Sequence, residues 1–109
     1  MDAAMETGKP TARDYAVKAM ILKNQRQYGS SLQYISRAIH MQPRVPRYFL
    51  QRGDTHLAMH NPRAAFDDYS HACRMGNKIG CDRAKSLRQK VQKERPGDGR
   101  RSPVRRIPR

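Results

Sequence analysis

The stretch FLQRGDTHLAMHNPRAAFDDYSHACRMGN, residues 49–77, reads as two short helices with a break between them. Phe49, Gly53 and Leu57 recur at four-residue intervals and so fall on one helical face. Asn61-Pro62 opens a second helix with the proline near its first turn, where its missing N–H costs nothing. Ala65, Tyr69 and Ala72 line that helix, and Gly76-Asn77 closes it as a C-terminal cap.

Working outward, the sequence aligns with itself at an offset of 34 residues. Tyr15 then meets Phe49, Ala19 meets Gly53, Ser31 meets Ala65, Ala38 meets Ala72 and Met41 meets Met75. Aromatic falls on aromatic and small on small. Antiparallel helices approach closely only where small side chains line the contact, and aromatics fill the gaps between turns. The first copy is predicted to hold one helix through Tyr15, Ala19 and Leu22 and another through Tyr28, Leu32, Ile35 and Ile39. A break is expected at Tyr28-Gly29-Ser30-Ser31, with Ser30 or Ser31 as the start signal. Pro43 and Pro46 then prevent helix continuation before the second copy. A fifth helix is signalled by Ile79, Ala84, Leu87 and Val91 and should end by Arg95, ahead of Pro96-Gly97.

With 109 residues there is room for one small domain. Apolar residues make up 37% and tryptophan is absent, so the buried surface must come from Ala, Leu, Ile, Met and a few Tyr, which suits packed helices. Lys and Arg number 23 against 9 Asp and Glu, a formal charge of +14 that favours acidic partners. No run approaches the roughly 18 apolar residues of a membrane span, and MDAAMETGKP does not resemble a signal peptide. The expected location is therefore cytoplasmic, or nuclear in a eukaryotic cell, with no membrane partner.

These residues resemble the tetratricopeptide repeat, a 34-residue helix-turn-helix unit, over about Ala12 to Val91. In the second unit Gly53 is similar to the family's small residue, Ala65 and Ala72 to its helix-B alanines and Tyr69 to its aromatic. In the first, Tyr15, Ala19, Tyr28, Ala38 and Pro43 match, with Ser31 where alanine is usual. Asn77 stands at the second closing proline and His60 at the usual inter-helix glycine. The resemblance implies an all-α fold of about five helices with disordered termini: residues 1–10 disordered, repeats at about 12–45 and 46–79, a capping helix at about 80–95, and a disordered basic tail at 96–109. Two repeats and a cap make a short array, since about three units are usually needed to bury a continuous core. Dimerisation, folding on a partner and membership of a longer array all follow as options.

The resemblance also implies peptide binding in a concave groove formed by the first helix of each unit. The matching positions are Arg13, Ala16, Met20, Lys23 and Asn24, then Arg47, Leu50, Asp54, Leu57 and Ala58, with Ala84, Arg88 and Val91 from the cap. The Lys/Asn clamp for a carboxylate tail is not reproduced, because Ala16, Met20, Leu50 and Asp54 occupy its positions. An apolar floor of Met20, Leu50 and Leu57 ringed by Arg13, Lys23, Arg47 and Arg88 suits an acidic peptide with one or two apolar anchors. The competing reading of each residue is an ordinary solvated helix face.

The tail PGDGRRSPVRRIPR carries five arginines and one aspartate and has no helical or strand period. Arg100, Arg101, Arg105 and Arg106 suit phosphate contacts, and with the Lys/Arg faces of the fifth helix (Arg83, Lys85, Arg88, Lys90 and Lys93) they make a nucleic-acid-associated protein the alternative function; Ser102, after two arginines and before Pro103, suits a kinase. Its lack of aromatics argues against base stacking there. The Cys73-x7-Cys81 spacing is similar to that of cysteine-rich helical-repeat proteins in which such pairs form disulfides. In a reducing cytosol, buried thiols are the expected state. His56 and His60 lie four apart without the glutamate of a zinc-protease motif or a third ligand, and Asp67-Asp68 point to different faces. Neither catalysis nor a cofactor is expected.

Overall fold

A computed structural model describes residues 8–94. The expectations for residues 1–7, and those for Arg100, Arg101, Ser102, Arg105 and Arg106, lie outside the described residues. The chain is all-α. Its described residues form five helices, α1 (Ala12–Asn24), α2 (Tyr28–Met41), α3 (Pro46–Ala58), α4 (Pro62–Arg74) and α5 (Lys78–Glu94), each packed against the next. The start of α3 lies 34 residues after that of α1, whereas α5 starts 32 after α3, because α4, with 13 residues, is one shorter than α2, with 14, and three residues join α4 to α5 where four join α2 to α3.

Local chemistry sets the helix ends. Thr11 caps α1 in a reciprocal box: its hydroxyl accepts the Asp14 N–H (3.2 Å) and the Asp14 carboxylate accepts the Thr11 N–H (2.8 Å). Asn61 caps α4 ahead of Pro62, and Asn77 Oδ1 accepts the Gly80 N–H at the start of α5 (2.8 Å). The exits of α1, α3 and α4 share one arrangement. Gln27 N–H reaches back to the Leu22 carbonyl (2.8 Å), Asn61 to His56 (2.9 Å) and Asn77 to Ala72 (3.1 Å). The residue before each donor is left-handed, Arg26 at φ 65°, His60 at 61° and Gly76 at 91°. His60 therefore adopts the backbone conformation that the resemblance assigns to a glycine.

This turn also corrects the start of α2. Leu22 is already capped by Gln27, so α2 begins at Tyr28, and Gly29, Ser30 and Ser31 lie inside it rather than in a break. Ser31 is buried, and its hydroxyl donates to the Ala19 carbonyl (2.6 Å), fastening α2 to α1. A second correction concerns α5. It starts at Lys78, and Ile79 is 52% exposed, whereas Ala84 and Leu87 are buried; the Val91 side chain lies outside the description. Ile79 stands five residues before Ala84 and so falls off the helical face that meets α4, where Gly80, one turn before Ala84, makes the contact. A Cβ there would stand 2.8 Å from both Ala72 Cβ and the Tyr69 carbonyl oxygen.

Two clusters form the core. The first joins Ala12, Ala16 and Ala19 of α1 to Ile35 and Ala38 of α2 and Tyr48 of α3. The second joins Ala65 and Tyr69 of α4 to Ala84 and Leu87 of α5, with Leu50 and Phe66 packed at its edge. Between hairpins the Gln51 amide donates to the Ala16 carbonyl (2.6 Å). Helices α1, α3 and α5 thus lie side by side, with α2 and α4 behind them. Among the described residues no helix is long and apolar enough to cross a membrane.

Candidate functional site

On the α3–α5 side, an open depression of about 400 Å³ is lined by Asp54 and Leu57 of α3 and by Asp82, Arg83, Ser86 and Leu87 of α5, with Tyr69 of α4 at its base. Its polar wall is fixed. The Tyr69 hydroxyl donates to Asp54 Oδ1 (2.5 Å), and Arg83 Nη1 donates to the same oxygen (2.6 Å) while its guanidinium lies over the Tyr69 ring. Burial, together with donation to the Asp54 carboxylate, pushes the Tyr69 phenol well above its ordinary pKa. The phenol therefore stays protonated and holds Asp54 toward α5. Leu57, 37% exposed, and the edge of Leu87 supply the apolar surface.

The groove positions separate into distinct environments. Arg13, Met20 and Asn24 are exposed on α1, with Lys23 half-buried, and Arg47 is exposed at the equivalent position of α3. Asp54 and Leu57 enter the depression. Leu50 is half-buried and packs on the second core cluster, and Ala16 is buried beneath the Gln51 bridge. Ala58 is half-buried and Ala84 is core. Arg88 lies on the other flank of α5, facing α4.

That other flank holds a second cleft of about 380 Å³. Phe66, Ser70 and Arg74 line it from α4, and Lys85 and Arg88 from α5. Cys73 and Cys81 lie at the same place, their sulfurs joined in a disulfide with the Cα atoms 4.4 Å apart. Both are half-buried, unlike the buried thiols expected of a reducing compartment.

A polar cluster between the hairpins is one that no motif or spacing in the sequence announces. Arg52 grips Asp68 with two bonds, Nε to Oδ2 (3.0 Å) and Nη2 to Oδ1 (2.9 Å), and donates to Ser36 Oγ of α2 (3.3 Å). Its guanidinium also lies over Phe49, which stacks on His71 at 4.2 Å. His56 Nε2 is 3.7 Å from Asp68 Oδ2, while Nδ1 is buried with no hydrogen-bond partner. Burial lowers the His56 pKa, outweighing the pull of Asp68 in the other direction. Arg52 and Asp68 lie 16 residues apart on separate helices, so no local pattern marks the pair. His60 is exposed in the turn after α3. Among the described residues, no group of three or more His, Cys, Asp or Glu side chains is placed to hold a metal ion.

The chain matches no protein-family model, and no curated protein matches it.

Proposed function

We propose that this chain is a two-hairpin module of the tetratricopeptide type, a non-enzymatic adaptor that binds a segment of a partner protein on the face formed by α1, α3 and α5. The observation that supports this reading most directly is the depression between α3 and α5, where Leu57 and Leu87 flank a wall already fixed by Asp54, Tyr69 and Arg83. Such a site receives one apolar anchor without reorganising, so the ordering cost of binding falls mainly on the partner. Exposed Arg13, Arg47 and Met20 extend the same surface toward α1. The net charge of +14 favours an acidic partner segment and speeds its encounter.

The test is capture of partners from nuclease-treated lysate by the tagged full chain, compared with Leu57→Asp, Arg47→Glu and a chain ending at residue 95. Both substituted residues are exposed, so either change alters the face without disturbing the core. A protein retained by the parent and the shortened chain, and lost with Leu57→Asp, supports the groove. Retention by Leu57→Asp and Arg47→Glu alike refutes it.

A further inference from the structure

We infer that the cleft between α4 and α5 on the far flank of α5 is a binding site for single-stranded nucleic acid, independent of the proposed peptide face. Three cationic side chains, Arg74, Lys85 and Arg88, line it, and no carboxylate does. Among the described residues none of the three has a carboxylate partner; the α5 ion pairs are Lys78 with Asp82, and Arg83 with Asp54, both involving residues outside this cleft. Cations clustered in a concavity without counter-charges concentrate anions, and phosphates engaged there release their condensed counterions.

The same cleft contains the feature that separates a nucleic-acid strand from a generic anion. Phe66 is half-buried, its body packed against the second core cluster while it lines the cleft. An aromatic ring bordered by Arg and Lys is the pairing with which proteins hold unpaired bases: the ring stacks a base and the cations take the flanking phosphates. Ser70, one helical turn from both Phe66 and Arg74, adds a hydroxyl suited to a phosphate or sugar. A base stacked on Phe66 must be out of a duplex, which fixes single strands as the ligand class. The disulfide holds the two cleft walls together at Cys73 and Cys81, so the site exists before the strand arrives.

The test uses the full chain and fluorescein-labelled 12-nucleotide single strands of RNA and of DNA, the corresponding duplexes and a polyglutamate peptide. Anisotropy is followed as salt is varied. The expected result is a preference for either single strand over duplex and polyglutamate of tenfold or more. Arg74→Gln/Lys85→Gln/Arg88→Gln should weaken binding at least tenfold and make the log–log salt slope shallower by about 2, at about 0.7 for each phosphate no longer neutralised. Phe66→Leu, which keeps an apolar side chain against the core, should weaken binding about fivefold or more with no change of slope. Circular dichroism of each variant should match the parent. Equal affinity for polyglutamate, or parent-like binding by the triple variant, would overturn the cleft and leave a charge-driven tail. Parent-like binding by Phe66→Leu would overturn the single-strand assignment. Leu57→Asp leaves this binding unchanged while abolishing partner capture, so the two sites succeed or fail separately.

Discussion

Gly53 and Tyr69 meet so closely that residue 53 admits no side chain: a Cβ there would lie 2.7 Å from Tyr69 Cε1 and 3.0 Å from Cδ1. At the equivalent positions of the first hairpin stand Ala19 and Ile35, both fully buried. The smaller aliphatic partner leaves space for one methyl group, and the larger aromatic removes it. Alanine is ordinarily better than glycine in a helix by about 1 kcal/mol. Gly53→Ala should nevertheless destabilise the protein by about 1–3 kcal/mol, because the Tyr69 ring is held by Asp54 on one side and packs in the second core cluster with Ala65. Urea unfolding of Gly53→Ala, Tyr69→Leu and the double variant measures it. In the double variant the alanine should cost less than it does alone, and additive costs would remove the steric explanation.

The Arg52–Asp68 pair should act as a unit. The Asp68 side chain is 7% exposed, so Arg52→Met leaves a carboxylate without its main partner at a cost of about 3 kcal/mol. Arg52→Met/Asp68→Leu should recover most of that loss, since the buried charge is gone. Comparing the two by chemical unfolding decides whether the pair stabilises the fold or mainly fixes how the hairpins register.

Stability should fall on mild acidification because of His56. Its folded pKa lies below the ordinary 6.5, so above pH 6.5 the imidazole is neutral in both states and the fold has its full stability. As the pH drops below 6.5 the unfolded chain takes up a proton that the folded chain refuses. Stability declines until the folded value is passed, then levels off. The urea midpoint should drop between pH 8 and pH 5.5, and His56→Leu should make that drop smaller. An unchanged pH profile in His56→Leu would show that another group governs it.

Reducing Cys73–Cys81 should lower stability by about 2–3 kcal/mol, the chain-entropy value for so short a loop. Thermal unfolding with and without reductant, with Cys73→Ser/Cys81→Ser as control, checks it. The control should melt with the reduced protein and ignore the reductant.

Much of the helical framework is legible in the sequence because its causes are local or periodic. Ala65, Tyr69 and Ala72 mark one face by spacing alone, Pro62 marks a helix start, and the 34-residue offset pairs the two hairpins before any contact is known; Pro46, read as part of the connection, is the first residue of α3. Sequence and structure part where a longer-range contact decides a local question. Tyr28-Gly29-Ser30-Ser31 has turn composition, yet the left-handed Arg26 ends α1 earlier, and Ser31 is needed inside α2 to reach Ala19. Leu50 and Ala16 sit at groove positions by register but are drawn inward by the core and by Gln51. Arg88 is apart from Leu57 because α5 presents two flanks to α4 and α3, and a linear pattern does not divide them. Arg52–Asp68 and Asp54–Tyr69–Arg83 link separate helices, so only the folded chain brings them together.

The three matching helix exits place arginine, histidine and glycine at one left-handed site. A left-handed residue with a side chain costs roughly 1–2 kcal/mol, so at Arg26 and His60 the backbone path is imposed by the helices meeting on either side and not chosen by the turn. Residues 26, 60 and 76 are all exposed. They form a set of equivalent apices whose side chains are free to vary, where a fluorophore, crosslinker or short inserted loop can be carried while the packed helices beneath keep their places.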